Sequence, residues 1–151
     1  MKTIKLENQL LVPVFTFLQS VNLKANKASR GRTQLLKRLE EKSKEFNEAL
    51  TEIRKEYFEV DENGELVVVD DQYEFKDKEN KVTLKVELND KVEELNKEQF
   101  EILFGEYSTK YDALFLALDN LEIEISGQEA FVYNELMDAY EVNEDKKEEG
   151  K

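Results

Sequence analysis

Between Leu36 and Tyr57 the apolar residues stand at Leu36, Leu39, Phe46, Leu50, Ile53 and Tyr57, with Ser43 filling the one gap. Steps of three and four, sustained over 22 residues of otherwise charged sequence, describe a heptad seam. A seam of that kind leaves a narrow apolar stripe that needs a second helix packed at a shallow angle. Ser29 is the expected N-cap, so the spacing predicts one long helix over 29–57. Its partner is expected within the chain. Leu84, Leu88, Val92 and Leu95 follow at steps of 4, 4 and 3 and predict a helix over about 78–97. The stretch KVTLKVEL (81–88) also alternates as a strand does, so the two periods compete there; the helix is preferred because it supplies the partner. A dimeric coiled coil is the alternative use of the seam. Between the helices, Asn63-Gly64 signals a turn, and 65–69 with 73–75 read as a small hairpin.

The flanks supply a base. TIKL (3–6), FEILF (100–104) and LEIEI (121–125) read as strands of one three-stranded sheet. Three helices are expected over it. The first is capped by Asn8 and carries Leu11, Val14, Phe15, Leu18 and Val21, with Pro13 either kinking it or marking its start. The second is capped by Ser108 and carries Tyr111, Leu114, Phe115 and Leu118. The third opens on the capping box SGQE (126–129) and carries Val132, Tyr133, Leu136, Met137 and Tyr140. The fold class is therefore α+β and helix-dominated: a long antiparallel helical hairpin with a β tip, projecting from a sheet-and-helix base. One domain over 1–142 and a disordered acidic tail over 143–151 complete the expectation, since NEDKKEEGK has no apolar residue.

Composition excludes several chemistries. The 151 residues include neither cysteine nor histidine. Disulfides, thiolate metal sites and Ser-His or Cys-His nucleophiles are thereby ruled out. The five glycines form no phosphate loop, and DENGE (61–65) lacks the ligand spacing of a calcium loop. No cofactor and no metal are expected. Adjacent acid pairs such as Glu40-Glu41 diverge by about 100° on a helix and form no acid–base pair. The aromatics Tyr57, Phe58, Phe100, Phe104, Tyr107, Tyr111 and Phe115 fit core faces better than a base-stacking platform, which needs a basic groove. MKTIKLENQL is polar by its seventh residue and reads as no signal peptide. The apolar run LLVPVFTFL is too short to span a bilayer, so no membrane partner is expected.

Charge is unevenly placed. The formal net charge is −13, yet residues 1–60 hold 12 Lys and Arg against 8 Asp and Glu. Residues 98–145 hold thirteen acids and only Lys110. Six cations, Lys24, Lys27, Arg30, Arg32, Lys37 and Arg38, stand in KANKASRGRTQLLKRL (24–39) with no acid among them. At a helix start the macrodipole opposes each exposed cation by about 0.3–1 kcal/mol. Either they pair with the acidic region in the folded chain, or with the helix-start amides they form a site for an anion or a partner. Glu98, Glu101, Glu106, Asp112, Glu122, Glu124 and Glu129 mark an acidic face for a basic partner. The net charge disfavours nucleic acid, because the whole-molecule field repels a phosphate backbone.

Four features together, IKLENQLLV at the start, KASRGRT before a charged helix, the DENG turn and the closing LEIEISGQEAFVYNEL, resemble a family of small uncharacterised proteins of phages and prophages of Gram-positive bacteria, a domain of unknown function. That resemblance implies expression in the cytoplasm of a bacterial host and brings no catalytic residues. The resulting expectation is a non-enzymatic accessory protein that binds a host or phage protein, as monomer or dimer. A morphogenesis or virion factor and a nucleic-acid-backbone binder acting through Lys24–Arg38 are the alternatives.

Overall fold

Residues 1–149 are described by the computed structural model, in the order β1 (Thr3–Glu7), α1 (Leu11–Ser20), α2 (Lys27–Tyr57), β2 (Val68–Val69), β3 (Gln72–Tyr73), α3 (Lys81–Lys97), β4 (Gln99–Leu103), α4 (Ser108–Asp119) and α5 (Gly127–Glu149). Helices dominate an α+β fold, as the periodicities predict. The chain divides into two units. One comprises residues 1–43 with those from Gln99 on; the other is Lys44–Glu98.

In the first unit, alternation in TIKLE puts Ile4 and Leu6 on the buried side of β1. They stand opposite Ile102 and Phe100 of β4 in an antiparallel ladder. The expected third strand does not form: residues 121–125 lie in no strand, and the sheet has two. Two physical reasons are visible. Ile123 is 51% exposed, so the alternation of LEIEI has no sheet face to bury. At Thr3, moreover, the open edge of β1 is already taken by a side chain. The Asn143 Nδ2 donates to the Thr3 carbonyl at 2.8 Å, and the Thr3 N–H donates to the Asn143 Oδ1 at 3.0 Å. One amide thus makes both bonds that a neighbouring strand residue would make. The expected tail over 143–151 starts at this Asn143; its side chains from 144 on and its last two residues lie outside the described ones.

Helix α1 begins two residues before Pro13, where the missing donor is harmless. It is entered through a 3-10 turn over Asn8–Leu10, with Leu10 at the N-cap position in place of Asn8. Its buried side is Leu11, Val14, Phe17 and Leu18, so Phe17 takes the inward place expected of Phe15. Helix α4 buries Tyr111, Leu114, Phe115 and Leu118 as its spacing requires; Tyr107, one residue ahead of Ser108, holds the cap position. From α5 come Val132, Leu136 and Met137, all buried. Tyr133 meets Phe17 edge-on at 5.7 Å and donates to the Leu118 carbonyl at 2.8 Å, and the Tyr140 ring stacks on Phe115 at 4.3 Å.

The second unit contains the later part of the seam. Tyr57, Phe58 and Leu88 form its core, with Ile53, Leu66, Phe75, Leu84 and Val92 packed around them. The helical spacing of Leu84, Leu88 and Val92 therefore prevails over the alternation of KVTLKVEL. At the tip, the Asp61 Oδ1 accepts from the amides of Asn63 and Glu65, and Gly64 adopts φ +78°. The hairpin itself turns at Asp70-Asp71, both with positive φ, which is the two-residue I′ geometry usually filled by Asn-Gly. Val68 and Val69 pair there with Tyr73 and Gln72.

Lys91 of α3 donates to the Glu56 Oε2 at 2.7 Å and lies 5.2 Å from the Tyr57 ring centre. The hydrogen bond to Glu56, first among the causes, pushes the Lys91 ammonium up to about 12 from 10.5. Burial likewise raises the Tyr111 and Tyr133 hydroxyls above 10.0. In all three the folded chain holds its proton longer than the unfolded chain. Their contribution is complete below the unfolded values and is lost as pH rises through the folded ones. Urea midpoints followed by circular dichroism should therefore hold level through the neutral range and fall above about pH 10. Lys91→Met should remove the part of that fall that lies between 10.5 and about 12.

Candidate functional site

The basic stretch divides into one internally held arginine and five exposed cations. Asn26, in place of Ser29, caps α2. Its Oδ1 accepts from the Ala28 N–H at 2.9 Å, and the Ser29 Oγ accepts in return from the Asn26 N–H at 3.2 Å. The inward face in this part of α2 is Ala28, Gly31, Leu35 and Leu39. The seam thus enters the first unit through Leu35, and Leu36 is only half-buried. Gly31 rests on α4, where a Cβ would stand 2.3 Å from the Lys110 carbonyl oxygen. No side chain larger than hydrogen fits so close an approach.

Arg32 turns to α1. Its guanidinium donates to the carbonyl oxygens of Val21 and, at 3.4 Å, Leu18. These lie at the end of α1, where carbonyls lack helical partners and the macrodipole is negative. Arg32 is thus engaged by carbonyls of its own chain rather than by carboxylates. Lys24, Lys27, Arg30, Lys37 and Arg38 remain exposed. At 100° per residue, the four on α2 fall within an arc of about 100°, a basic ridge. Arg38 reaches Glu41 at 3.4 Å. Among the described residues no ion pair joins this ridge to the acids of 98–145.

Of the acids expected to face a partner, Asp112 is held internally. It accepts from the Lys2 Nζ at 2.8 Å and from the Tyr140 hydroxyl at 2.8 Å. The other six are exposed and, among the described residues, in no ion pair. They do not converge on one point. Glu98 ends α3 and belongs to the second unit. Glu101 stands on the outward side of β4 opposite Lys5, and Glu106 sits in a 3-10 turn over Gly105–Tyr107. Glu122 and Glu124 occupy the connection into α5, and Glu129 lies in its first turn, where the macrodipole favours an acid. Among the described residues, no group of three or more acids is placed to hold a metal ion.

Sequence reading missed a groove of about 500 Å³ between α1 and α5. Val12, Thr16 and Phe17 line it on one side, with Gln128, Glu129 and Val132 on the other. Among the described residues, Glu129 carries the only charge in its lining. Val12 alone hinted at such a feature, as an apolar residue off the inward face of α1; it is 69% exposed. Elsewhere in the same unit, the Tyr111 hydroxyl is buried and, among the described residues, finds no hydrogen-bond partner. Burial raises its pKa, and the Arg38 guanidinium partly offsets the rise.

No helix among the described residues is long and apolar enough to cross a membrane. Compared with known families, residues 2–149 match the model of DUF1617, a protein of unknown function. No curated protein and no solved structure is similar enough to show a relationship.

Proposed function

This chain belongs to the DUF1617 family, and from that premise we propose that it acts by binding, as a non-enzymatic protein whose exposed, dispersed carboxylates on the first unit meet a basic surface on another protein. The observation that supports this reading is the absence of internal neutralisation. Glu101, Glu106, Glu122, Glu124 and Glu129 are exposed and in no ion pair among the described residues, while the cations of 24–38 are spent elsewhere or left outward. A folded chain that leaves both charge sets unmatched has a strong field available for steering and for partner choice. The setting we propose is the cytoplasm of a bacterial cell carrying a phage or prophage. The partner is a host or phage protein whose own basic surface ordinarily meets nucleic acid.

The test is competition. Partners recovered with the tagged chain from phage-infected cells are challenged with duplex DNA. The chain should displace DNA from such a partner at low salt, and displacement should weaken as ionic strength rises. Replacing Glu101, Glu106, Glu122, Glu124 and Glu129 together by glutamine should reduce displacement at least tenfold. Displacement that is untouched by those five changes would remove the reading.

A further inference from the structure

The two-stranded sheet of the first unit has two edges, and they differ. In an antiparallel ladder, alternate residues turn both main-chain groups toward the partner strand, and the residues between turn theirs away. The Phe104 N–H donates to the Lys2 carbonyl at 3.0 Å, which sets the alternation here. Ile4 with Ile102 and Leu6 with Phe100 then exchange bonds across the ladder. The main-chain groups of Thr3, Lys5 and Glu7 on β1, and of Gln99, Glu101 and Leu103 on β4, point to the outer edges. On β1, the outward groups of Thr3 are the two that Asn143 meets, and α5 packs along that strand. On β4, the outward N–H and C=O groups of Gln99, Glu101 and Leu103 have no hydrogen-bond partner among the described residues. Nor does β4 carry the usual guards of an edge. QFEIL holds neither proline nor lysine, and its register with β1 runs one-to-one without a bulge.

Free main-chain donors and acceptors in strand geometry are matched by another strand, and the side chains beside them select which. Gln99, Glu101 and Leu103 stand on the outer side of the sheet, in rows with Glu7, Lys5 and Thr3. Leu103 is 54% exposed. A cation on an added strand would lie one strand spacing, about 5 Å, from Glu101 and two spacings from Lys5, so attraction prevails. An apolar residue in the next row would cover Leu103. Charge disfavours the chain itself as occupant. The antiparallel register of two copies that uses all three outward residues sets Glu101 against its own counterpart. The unused LEIEI (121–125), with its apolar residues turned inward, would bring Glu122 and Glu124 to the side that holds Glu101. We propose that the outer edge of β4 takes up an extended segment of another protein as a third, antiparallel strand, with a Lys or Arg opposite Glu101 and an apolar residue opposite Leu103. This inference stands apart from the proposed function. Main-chain hydrogen bonds carry it, and the occupant needs no surface for nucleic acid.

A blocked seven-residue peptide, Thr-Val-Ile-Lys-Ile-Thr-Thr, is the probe; its valine, lysine and second threonine would meet Leu103, Glu101 and Gln99. Titrated into the full chain and followed by NMR, it should bind saturably and protect the Glu101 and Leu103 amides from exchange. N-methylation of those three peptide residues should weaken binding at least about tenfold, because each methyl removes a main-chain donor. N-methylation of the two isoleucines, whose amides face away, should leave binding within about twofold. Leu103→Pro should also weaken it at least about tenfold with unchanged circular dichroism, because the donor it removes is one that β1 does not use. A peptide with glutamate in place of lysine should bind more weakly, and Glu101→Lys in the chain should restore part of the loss. Absence of saturation at about millimolar peptide overturns the proposal. So does an equal loss from the two methylation patterns, a comparison made on the unaltered chain, or binding indifferent to Leu103→Pro. No nucleic acid enters the assay, so its failure is distinct from a failure to displace DNA.

Discussion

Gly31→Ala should lower the stability of the chain by roughly 2–4 kcal/mol, the upper part of the range for overpacked sites. The sign is the informative part. In the interior of a helix, alanine normally gains about 1 kcal/mol over glycine. Here the added methyl would stand 2.3 Å from the Lys110 carbonyl oxygen and 2.8 Å from its carbonyl carbon. Backbone cannot step aside as a flexible side chain can, so α2 and α4 must separate. That movement would loosen Leu114, which is fully buried and whose Cβ lies 3.3 Å from the same point. Urea denaturation followed by circular dichroism reads the result. A variant at least as stable as the parent would show that the two helices do not meet as closely as described.

Arg32→Ala should cost roughly 1–3 kcal/mol, the range for hydrogen bonds to a charged group whose removal strands its partners. Two carbonyls at the end of α1 would lose their donor. Arg32→Lys should recover only part of the loss, because an ammonium lacks the planar fork that serves two oxygens together. Arg30→Ala provides the contrast, being exposed and unpaired among the described residues, and should change stability by less than about 0.5 kcal/mol. Equal losses at the two positions in the same urea titration would contradict the division of labour between them.

The parts of the fold legible in advance are those in which one period decides. Tyr111, Leu114, Phe115 and Leu118 lie on one side of a helix whatever surrounds them. Ile4 and Leu6 alternate into a core in the same way. Where two periods overlap, as in KVTLKVEL, only the presence of a partner helix settles the matter. LEIEI misled because alternation describes a strand with a face to bury, and Ile123 has none. The basic stretch was legible as charge and opaque as chemistry. The role of Arg32 depends on where the carbonyls of Leu18 and Val21 end, and that of Asp112 on Lys2, 110 residues away, and on Tyr140. Neither relation leaves a local trace. Gly31 did leave one: a glycine amid helical spacing is costly unless something presses against it.

The amide of Asn143 bears on the timing of biosynthesis. β1 emerges from a ribosome well before β4 and α5, its alternating residues ready for a sheet. One edge waits for β4, and at Thr3 the other waits for a residue 140 positions later. At roughly 5–20 residues per second, that interval is on the order of ten seconds. During it, an unpaired strand and the apolar α1 that follows are open to any neighbouring nascent chain. The first unit is therefore expected to close only after Asn143 has been made, whereas Lys44–Glu98, which is continuous in sequence, can fold before it.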